Sequence, residues 1–390
     1  MASGLNAGLS PPRSKPVLVY LVTEDWYFMS HRLPMANAVQ AAGFEVHVAT
    51  RVGTSGAAIE VHGFQLHPLP WPRGSFNPFS RIAIWRDVRE LYRRLSPDIV
   101  HHVALEPTIV GSLAALGLPI VRLNALAGLG FVFTSRTAKA RATGAIISRL
   151  LTWLLNRPRA AALIQNNDDR AALASLGVSA ERIFLIPGSG VDIDVFTPLP
   201  EPPGPITVAF VGRLLDDKGV RTLVAAHEML ASRPQPIHLL LAGEIDPANP
   251  ASISMDEVES WRCLPNISVL GHVADVRDVW ARAHIAVLPS RREGLPKSLL
   301  EAAACGRPIV ATDVPGCREI ARAGLNALLV PADDPAALAK AIDRLANDEA
   351  LRAQFSKASR TLVEQEFSSA RIGREIVSLY NRLLGRSPLP

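Results

Sequence analysis

Residues 196–206 read FTPLPEPPGPI, with five prolines in eleven positions and no periodic apolar pattern. Proline lacks the N–H that a helix interior or a central strand needs, so this stretch predicts a linker between domains. Upstream of it, short apolar runs alternate with longer helix-like segments: PVLVYLV (16–22), FEVHVAT (44–50), DIVHHVAL (98–105), PIVRLNAL (119–126) and AALIQNN (161–167). Downstream the pattern restarts with ITVAFVG (206–212), PIHLLLAGE (236–244), ISVLGHV (267–273), HIAVLPS (284–290) and RPIVATDV (307–314). Runs this rich in Val, Ile and Leu suit parallel strands covered on both faces. The stretches between them, such as SHRLPMANAVQAAG and GVRTLVAAHEMLAS, place apolar residues at the three- and four-residue spacing of helices. Two such arrays predict an α/β protein of two Rossmann-like, doubly wound domains facing each other across a cleft. The expected division is residues 1–197, a linker at 198–206, a second domain at 207–368, and a last segment at 369–390 whose helix SARIGREIVSLYNRLLG crosses back to the first domain. Open α/β sheets bind ligands beyond the carboxyl ends of their strands, so the chemistry is expected in the cleft.

Composition agrees with a chain of 390 residues, 48% of them hydrophobic, in two domains with substantial cores. No apolar run approaches the ~20 residues of a spanning helix. The first residues, MASGLNAGLSPPRSKP, lack the apolar stretch of a signal peptide. Cys263, Cys305 and Cys317 form no C-x-x-C pair, which fits a reducing compartment and argues against a disulfide framework or a cysteine-built zinc site. A cytoplasmic protein is expected. Its charge is uneven: residues 1–200 hold 19 Lys/Arg against 13 Asp/Glu, and the remainder 22 against 23. A basic first half points to an anionic partner or surface there. Nucleic acid is disfavoured, because aromatics are only 6% of the chain and no zinc-finger or RNP-type pattern occurs.

The segment PSRREGLPKSLLEAAACGRPIVATDVPGCREI (289–320) carries the strongest chemical signal. A strand ends near Leu288, a loop follows, and a helix is expected from about Pro296, since proline is tolerated in a first turn. Lys297 in that turn opposes the helix dipole. It makes sense if an anion docks on the backbone N–H groups and the ammonium together. The competing reading is an ordinary surface pair between Lys297 and Glu301, four residues on. Glu293 and Glu301 would offer carboxylates to sugar hydroxyls at the two ends of a sugar nucleotide. In VAFVGRLLDDKGVRTLVAA (208–226), a strand runs into Gly212 and Arg213, and the loop ends at Lys218 and Gly219. These two cations can close around a pyrophosphate, or simply lie exposed on a βα loop. No G-x-x-x-x-G-K-[ST] occurs and neither domain opens with G-x-G-x-x-G, which excludes a Walker loop and disfavours a dinucleotide dehydrogenase.

Together, VGRLLDDKG and REGLPKSLLEAAACGRPIVATDVPGCREI resemble the donor half of family 4 glycosyltransferases, which have the GT-B fold. The segment GSGVDIDVFTP (188–198) is similar to that family's strand-to-linker element. The stretches EDWYFMSHRLPMANAVQAAGFEVHVAT, DIVHHVALEPTIVGSLAA and NALAGLGFVFTS resemble a bacterial subgroup that builds surface polysaccharides on lipid carriers. The resemblance implies a retaining transferase acting without metal or other cofactor, with a UDP- or GDP-sugar as donor substrate. It implies that Arg213 and Lys218 bind the donor diphosphate and that Glu301 binds the ribose. Glu293 would lie by the transferred sugar, with the backbone of Gly294, Leu295 and Pro296 approaching sugar and phosphates. The acceptor implied is a saccharide linked to a polyprenyl diphosphate. Glu24-Asp25-Trp26 departs from the glycine pair that many members carry after the first strand.

On the acceptor side, His101 or His102 is expected at the carboxyl edge of its strand, in a functional or a structural role. Arg32, read as opening the first helix with His31, is a candidate for an acceptor phosphate, or merely a solvated helix start. Asn124, with Gly128 and Gly130, marks a loop on the same side, and Glu106 is a weaker candidate. Asp192-Ile193-Asp194 has the spacing of a metal-binding D-x-D but precedes the linker, and is read as structural. RTAKARATGAIISRLLTWLLNRPR (136–159), joined by RIAIWRDVRELYRRL (81–95), is either an amphipathic helix lying on an anionic membrane or an ordinary charged face. Rival functions on the same fold are a nucleotide-sugar 2-epimerase and a non-catalytic nucleotide-sugar-binding partner.

Overall fold

The computed structural model describes residues 15–72, 78–126 and 138–386. The first sheet is built from β1 (Val17–Glu24), β2 (Glu45–Arg51), β3 (Gln65–Pro68), β4 (Ile99–Val103), β5 (Val121–Ala125), β6 (Ala160–Ile164) and β7 (Ile183–Leu185). These strands are all parallel, in the order β3-β2-β1-β4-β5-β6-β7. The second sheet comprises β8 (Thr207–Val211), β9 (His238–Ala242), β10 (Ile267–Gly271), β11 (Ile285–Leu288), β12 (Ile309–Thr312) and β13 (Ala327–Val330), in the order β10-β9-β8-β11-β12-β13. Both orders reverse direction once, between β1 and β4 and between β8 and β11. A doubly wound sheet opens a crevice at such a reversal, so the loops after these four strands frame the binding region. This is the GT-B architecture of two doubly wound domains.

The ten expected strands are present. The structure adds β3, β7 and β13, which are edge strands of three or four residues with partly exposed side chains. β3 (QLHP) has no apolar run, whereas β7 (IFL) and β13 (ALLV) are apolar but so short that length does not set them apart as strands. SHRLPMANAVQAAG also departs from its single-helix reading. One helix spans Asp25–His31 and a second spans Leu33–Ala41, with Arg32 between them at φ −126°. Pro34 has no N–H to offer the Ser30 carbonyl, and the first helix ends accordingly.

The proline-rich segment lies strapped to the second domain. Arg307 donates to the Pro200 carbonyl (2.9 Å), Arg352 pairs with Glu201 (2.7 Å) and Arg360 donates to the Phe196 carbonyl (2.6 Å). The chain passes between domains twice, and the two crossings run side by side: Val191 N–H donates to Phe367 O and Ser369 N–H to Val191 O, both at 2.9 Å. Beyond the second crossing, the helix Ser369–Leu383 buries Ile372, Ile376, Leu379 and Tyr380 in the core of the first domain, with Met35, Val39 and Phe44.

His101 and His102 are fully buried in this core, not at the cleft. Neighbouring residues of a strand point to opposite faces, so the pair splits across the sheet. His101 Nδ1 meets the Tyr380 hydroxyl at 2.5 Å, beneath the last helix. His102 is held on the other face between the Tyr92 hydroxyl (2.9 Å) and Asn124 Oδ1 (2.8 Å). Asn124 is equally buried and donates to the Ala161 carbonyl at 3.0 Å. Gly111 allows a helix to pack on this imidazole, since a Cβ there would sit 2.3 Å from His102 Nε2. Burial pushes His102 down to about 4 and His101 well below the ordinary histidine range. Both are therefore neutral in the folded chain, whereas the unfolded chain protonates them below about 6.5. The folded pKa values are depressed, so this contribution to stability is complete above pH 6.5 and is lost as pH falls toward 4. We expect the thermal midpoint to drop across that window, as the unfolding free energy falls by up to about 1.4 kcal/mol per pH unit per histidine. His102→Gln should melt lower at pH 7 but with a shallower pH slope; a wild-type midpoint flat from pH 7 to 4.5 would contradict neutral burial.

Candidate functional site

At the reversal of the second sheet, two loops are locked together. After β8 come Gly212 and Arg213, a short turn at Asp216–Lys218, and Gly219 at φ 70° before the helix Val220–Met229. A Cβ on Gly219 would lie 2.0 Å from the Pro289 carbonyl oxygen, so glycine is what lets this turn meet the loop after β11. Arg291 pairs with Asp216, and its N–H donates to the Asp217 carbonyl at 2.9 Å. Within this clamp Lys218 Nζ lies 2.5 Å from Glu293 Oε1, and Ser290 Oγ donates to the same oxygen at 2.6 Å. Glu293 keeps only 9% of its side chain exposed. Arg213 is half-exposed on the same rim and pairs with Asp246 at 2.8 Å.

The helix Lys297–Ala304 begins directly after Pro296, and no side chain caps its first N–H groups. Those donors therefore face the space between the loops, where an anion would satisfy them. Lys297 and Glu301 lie 3.2 Å apart, but the carboxylate is buried while the ammonium is partly exposed. Burial pushes the Glu301 carboxyl above its ordinary range, and the Lys297 ammonium pulls it partly back. The pair is thus a buried carboxylate held by a cleft-facing lysine rather than a solvated surface contact.

The opposite wall comes from the loop and first helix after β1. Trp26, Tyr27, Ser30 and His31 face Lys218, Glu293 and Lys297 across a cleft of about 610 Å³, joined by Gln165 from the end of β6. Asp25 anchors this wall from beneath: its buried carboxylate accepts the N–H groups of Trp26 (2.7 Å), Gly53 (2.7 Å) and Ser55 (2.9 Å). His31 stacks on Tyr27 with centroids 4.2 Å apart. Burial, reinforced by the charges of Arg32, Lys297 and Lys218, pushes its imidazole down to about 3, so it is neutral at ordinary pH. The walls also touch directly. Asn166 Nδ2 donates to the Gly294 carbonyl at 3.0 Å, and Asn167 N–H to Glu319 Oε1 at 3.4 Å.

Gly212, Arg213, Lys218, Glu293, Gly294, Leu295, Pro296, Lys297 and Glu301 therefore converge on one cleft. The other candidates do not line it. His101, His102 and Asn124 belong to the first core. Arg32 is buried beside Ala125, Leu126 and Gln165, with its guanidinium 3.8 Å from Met35 Sδ, because the break between the two helices turns it inward. Glu106 pairs with Arg81 away from the cleft. Asp192 Oδ1 accepts the N–H groups of Asp194 (3.0 Å) and Val195 (3.1 Å), which makes it a turn residue. Gly128 and Gly130 lie outside the described residues. Trp26, Tyr27, His31 and Gln165 were not singled out from sequence. An aromatic cluster inside EDWYFMSH was the available sign.

Residues 205–348 match the family model described as glycosyl transferases group 1, and residues 18–167 match that described as glycosyl transferase 4-like. A D-inositol 3-phosphate glycosyltransferase of Pseudarthrobacter chlorophenolicus is 33% identical over 371 residues, 83% of each chain. The N,N'-diacetylbacillosaminyl-diphospho-undecaprenol alpha-1,3-N-acetylgalactosaminyltransferase of Campylobacter jejuni is 26% identical over 92% of this chain and 98% of its own. The structure of Anabaena HepE in complex with UDP and glucose shares the fold, with a TM-score of 0.76 at 18% identity, covering 93% of this chain and 99% of that one.

The anchoring of the cleft wall can be tested without any ligand. Asp25→Ala strands three backbone donors and should lower the unfolding free energy by about 2–4 kcal/mol in denaturant titration. Wild-type stability would show that this carboxylate does not hold the wall.

Proposed function

The chain belongs to the glycosyltransferases of the group 1 and 4-like families, with the GT-B fold, and from that premise we propose that it is a retaining, metal-independent hexosyltransferase. It would move a hexose or N-acetylhexosamine from a nucleotide sugar, UDP- or GDP-linked, to a saccharide carried on a polyprenyl diphosphate, in the synthesis of a bacterial surface polysaccharide. The observation that carries the reading is the convergence of Lys218–Glu293 and Lys297–Glu301 at the switch point of the second sheet, facing an uncapped helix N-terminus. Four cations (Arg213, Lys218, Arg292, Lys297) and two carboxylates (Glu293, Glu301) line the cleft, and His31 is neutral. The surplus matches a diphosphate.

Each carboxylate is held by a lysine. An arriving diphosphate competes for both lysines, and the carboxylates become acceptors for hydroxyls: Glu301 for the ribose, Glu293 for the transferred sugar. Arg213, half-exposed on the rim, swings from Asp246 onto the phosphates. The bond from the anomeric carbon to the phosphate oxygen then breaks. Its electrons pass to the diphosphate, where Arg213, Lys218 and the helix N-terminus stabilise the charge. The acceptor hydroxyl bonds to the anomeric carbon from the face that the leaving group departs, and its proton goes to a phosphate oxygen. Configuration is retained and no side chain need act as base. Fixed positive charge does the work that a divalent ion does elsewhere.

The lipid-linked acceptor is supported by the Campylobacter relative, whose name specifies a diphospho-undecaprenol saccharide. The UDP-bound HepE structure supports a nucleotide donor. Among the described residues no helix is long and apolar enough to cross a membrane. We place the enzyme in the cytoplasm at the inner membrane face, where such an acceptor is presented.

Lys218→Ala and Glu301→Ala should each lower kcat/KM by about 10²–10³-fold, and Lys218→Ala, which leaves the Glu293 carboxylate without its cation, should also melt below wild type. Near-normal turnover in either would overturn the assignment. Nucleotide release across a panel of UDP- and GDP-sugars should require a lipid-linked acceptor, whereas a 2-epimerase would turn over the donor alone and a binding partner would release nothing. Turnover is expected to survive excess EDTA; loss of activity, restored by a divalent ion, would refute the metal-independent mechanism.

A further inference from the structure

A second cavity lies apart from the cleft and shares no lining residue with it. It is a groove of about 1120 Å³ in the first domain. The helix Leu105–Ala114 forms its floor, with Leu105, Ile109 and Leu113; the helices Pro78–Leu95 and Ala138–Leu155 wall it with Ile82, Trp85 and Ile147. We propose that this groove receives the hydrocarbon chain of the lipid-linked acceptor, an inference that rests on the acceptor class assigned above and extends it.

Three observations select that occupant. The groove reaches Thr23 and Ala104, at the carboxyl ends of β1 and β4, where the first sheet reverses. Thr23 stands three residues before Trp26, which lines the cleft, so a chain lying in the groove delivers its head group to the transfer site. Among the described residues the two wall helices carry six Lys/Arg against two Asp/Glu, and within the groove Arg81 pairs with Glu106. An apolar trough with a basic frame is complementary to a ligand with an apolar body and an anionic head, and it repels a second copy of this basic domain. Finally, the groove is concave and lies between helices, whereas Ile146 (65% exposed), Arg149 and Trp153 (43%) stand on the outward face of helix Ala138–Leu155, with Arg157 just beyond its end over the Trp153 ring. That outward face suits the bilayer surface, and the trough suits a single chain.

The experiment uses undecaprenyl phosphate in neutral detergent, with dimethylallyl phosphate as the short-tailed control, read by the fluorescence of Trp85 and corrected with Trp85→Phe. Wild-type protein should bind the long-chain phosphate at least tenfold more tightly than the short one. Ile109→Asp, which places a charge on the floor, and Ile109→Trp, which fills the groove without one, should each weaken the long-chain ligand at least tenfold. Both should leave UDP binding by calorimetry unchanged, which shows that the variants fold. Equal affinity for the two tails, or wild-type affinity in both variants, would overturn the proposal. So would vesicles of phosphatidylglycerol, lacking any prenyl lipid, that shift Trp85 as undecaprenyl phosphate does, since the groove would then be a bilayer-insertion surface. A wild-type protein that fails to bind UDP or GDP would count against the transferase reading and leave the groove result standing.

Discussion

Keeping Lys218 and Glu293 in contact, with so little of the carboxylate exposed, is the constraint around which the second domain is arranged. The hydration lost when two charges are withdrawn from water is offset only if their geometry is close and the remaining lone pairs are filled. Ser290 fills one of them, and the Asp216–Arg291 tie keeps the two loops from drifting apart. Gly219 provides a backbone approach that a side chain would block. These ties fix the positions of the two loops that carry the cations. A preformed site of this kind pays little reorganisation at the moment charge develops on a leaving group.

The first domain contributes a wall that adds no charge. His31 is held neutral by its burial and by the cations opposite, so the cleft keeps its positive surplus. The direct contacts between walls, from Asn166 to Gly294 and from Asn167 to Glu319, bring the aromatic segment after β1 opposite the loop that carries Glu293. The family's chemistry therefore depends on a closed juxtaposition, although each set of residues belongs to a separately wound sheet.

Much of this was legible in the chain. Apolar runs of buried central strands, a run of prolines and the Glu293–Glu301 spacing carry their own physical signatures, and the donor half assembles from residues adjacent in two short motifs. What was not legible depends on direction rather than on position. His101 and His102 stand on a strand that ends at the cleft, yet alternation sends one ring to each face of the sheet and neither to the edge. Arg32 follows a cleft-lining histidine, but a helix break caused by Pro34 turns it inward. The proline-rich segment reads as a free joint, and only the tertiary structure shows Arg307, Arg352 and Arg360 fastening it down. Edge strand β3 was silent because a strand paired on one side needs few apolar residues, and β7 and β13 because runs of three and four apolar residues are too short to read as strands.

The last helix has a consequence for how the molecule is made. Its tyrosine and aliphatic side chains complete the core of the domain encoded first, so the opening half of the polypeptide leaves the ribosome with an uncovered apolar face. Domains commonly fold in order of synthesis, at about 5–20 residues per second. Here the earlier unit must wait for the later one to be translated before its own interior closes. Biogenesis is thereby coupled from end to end: a chain truncated by premature termination would display unsatisfied hydrophobic surface, which marks it for chaperones and proteases.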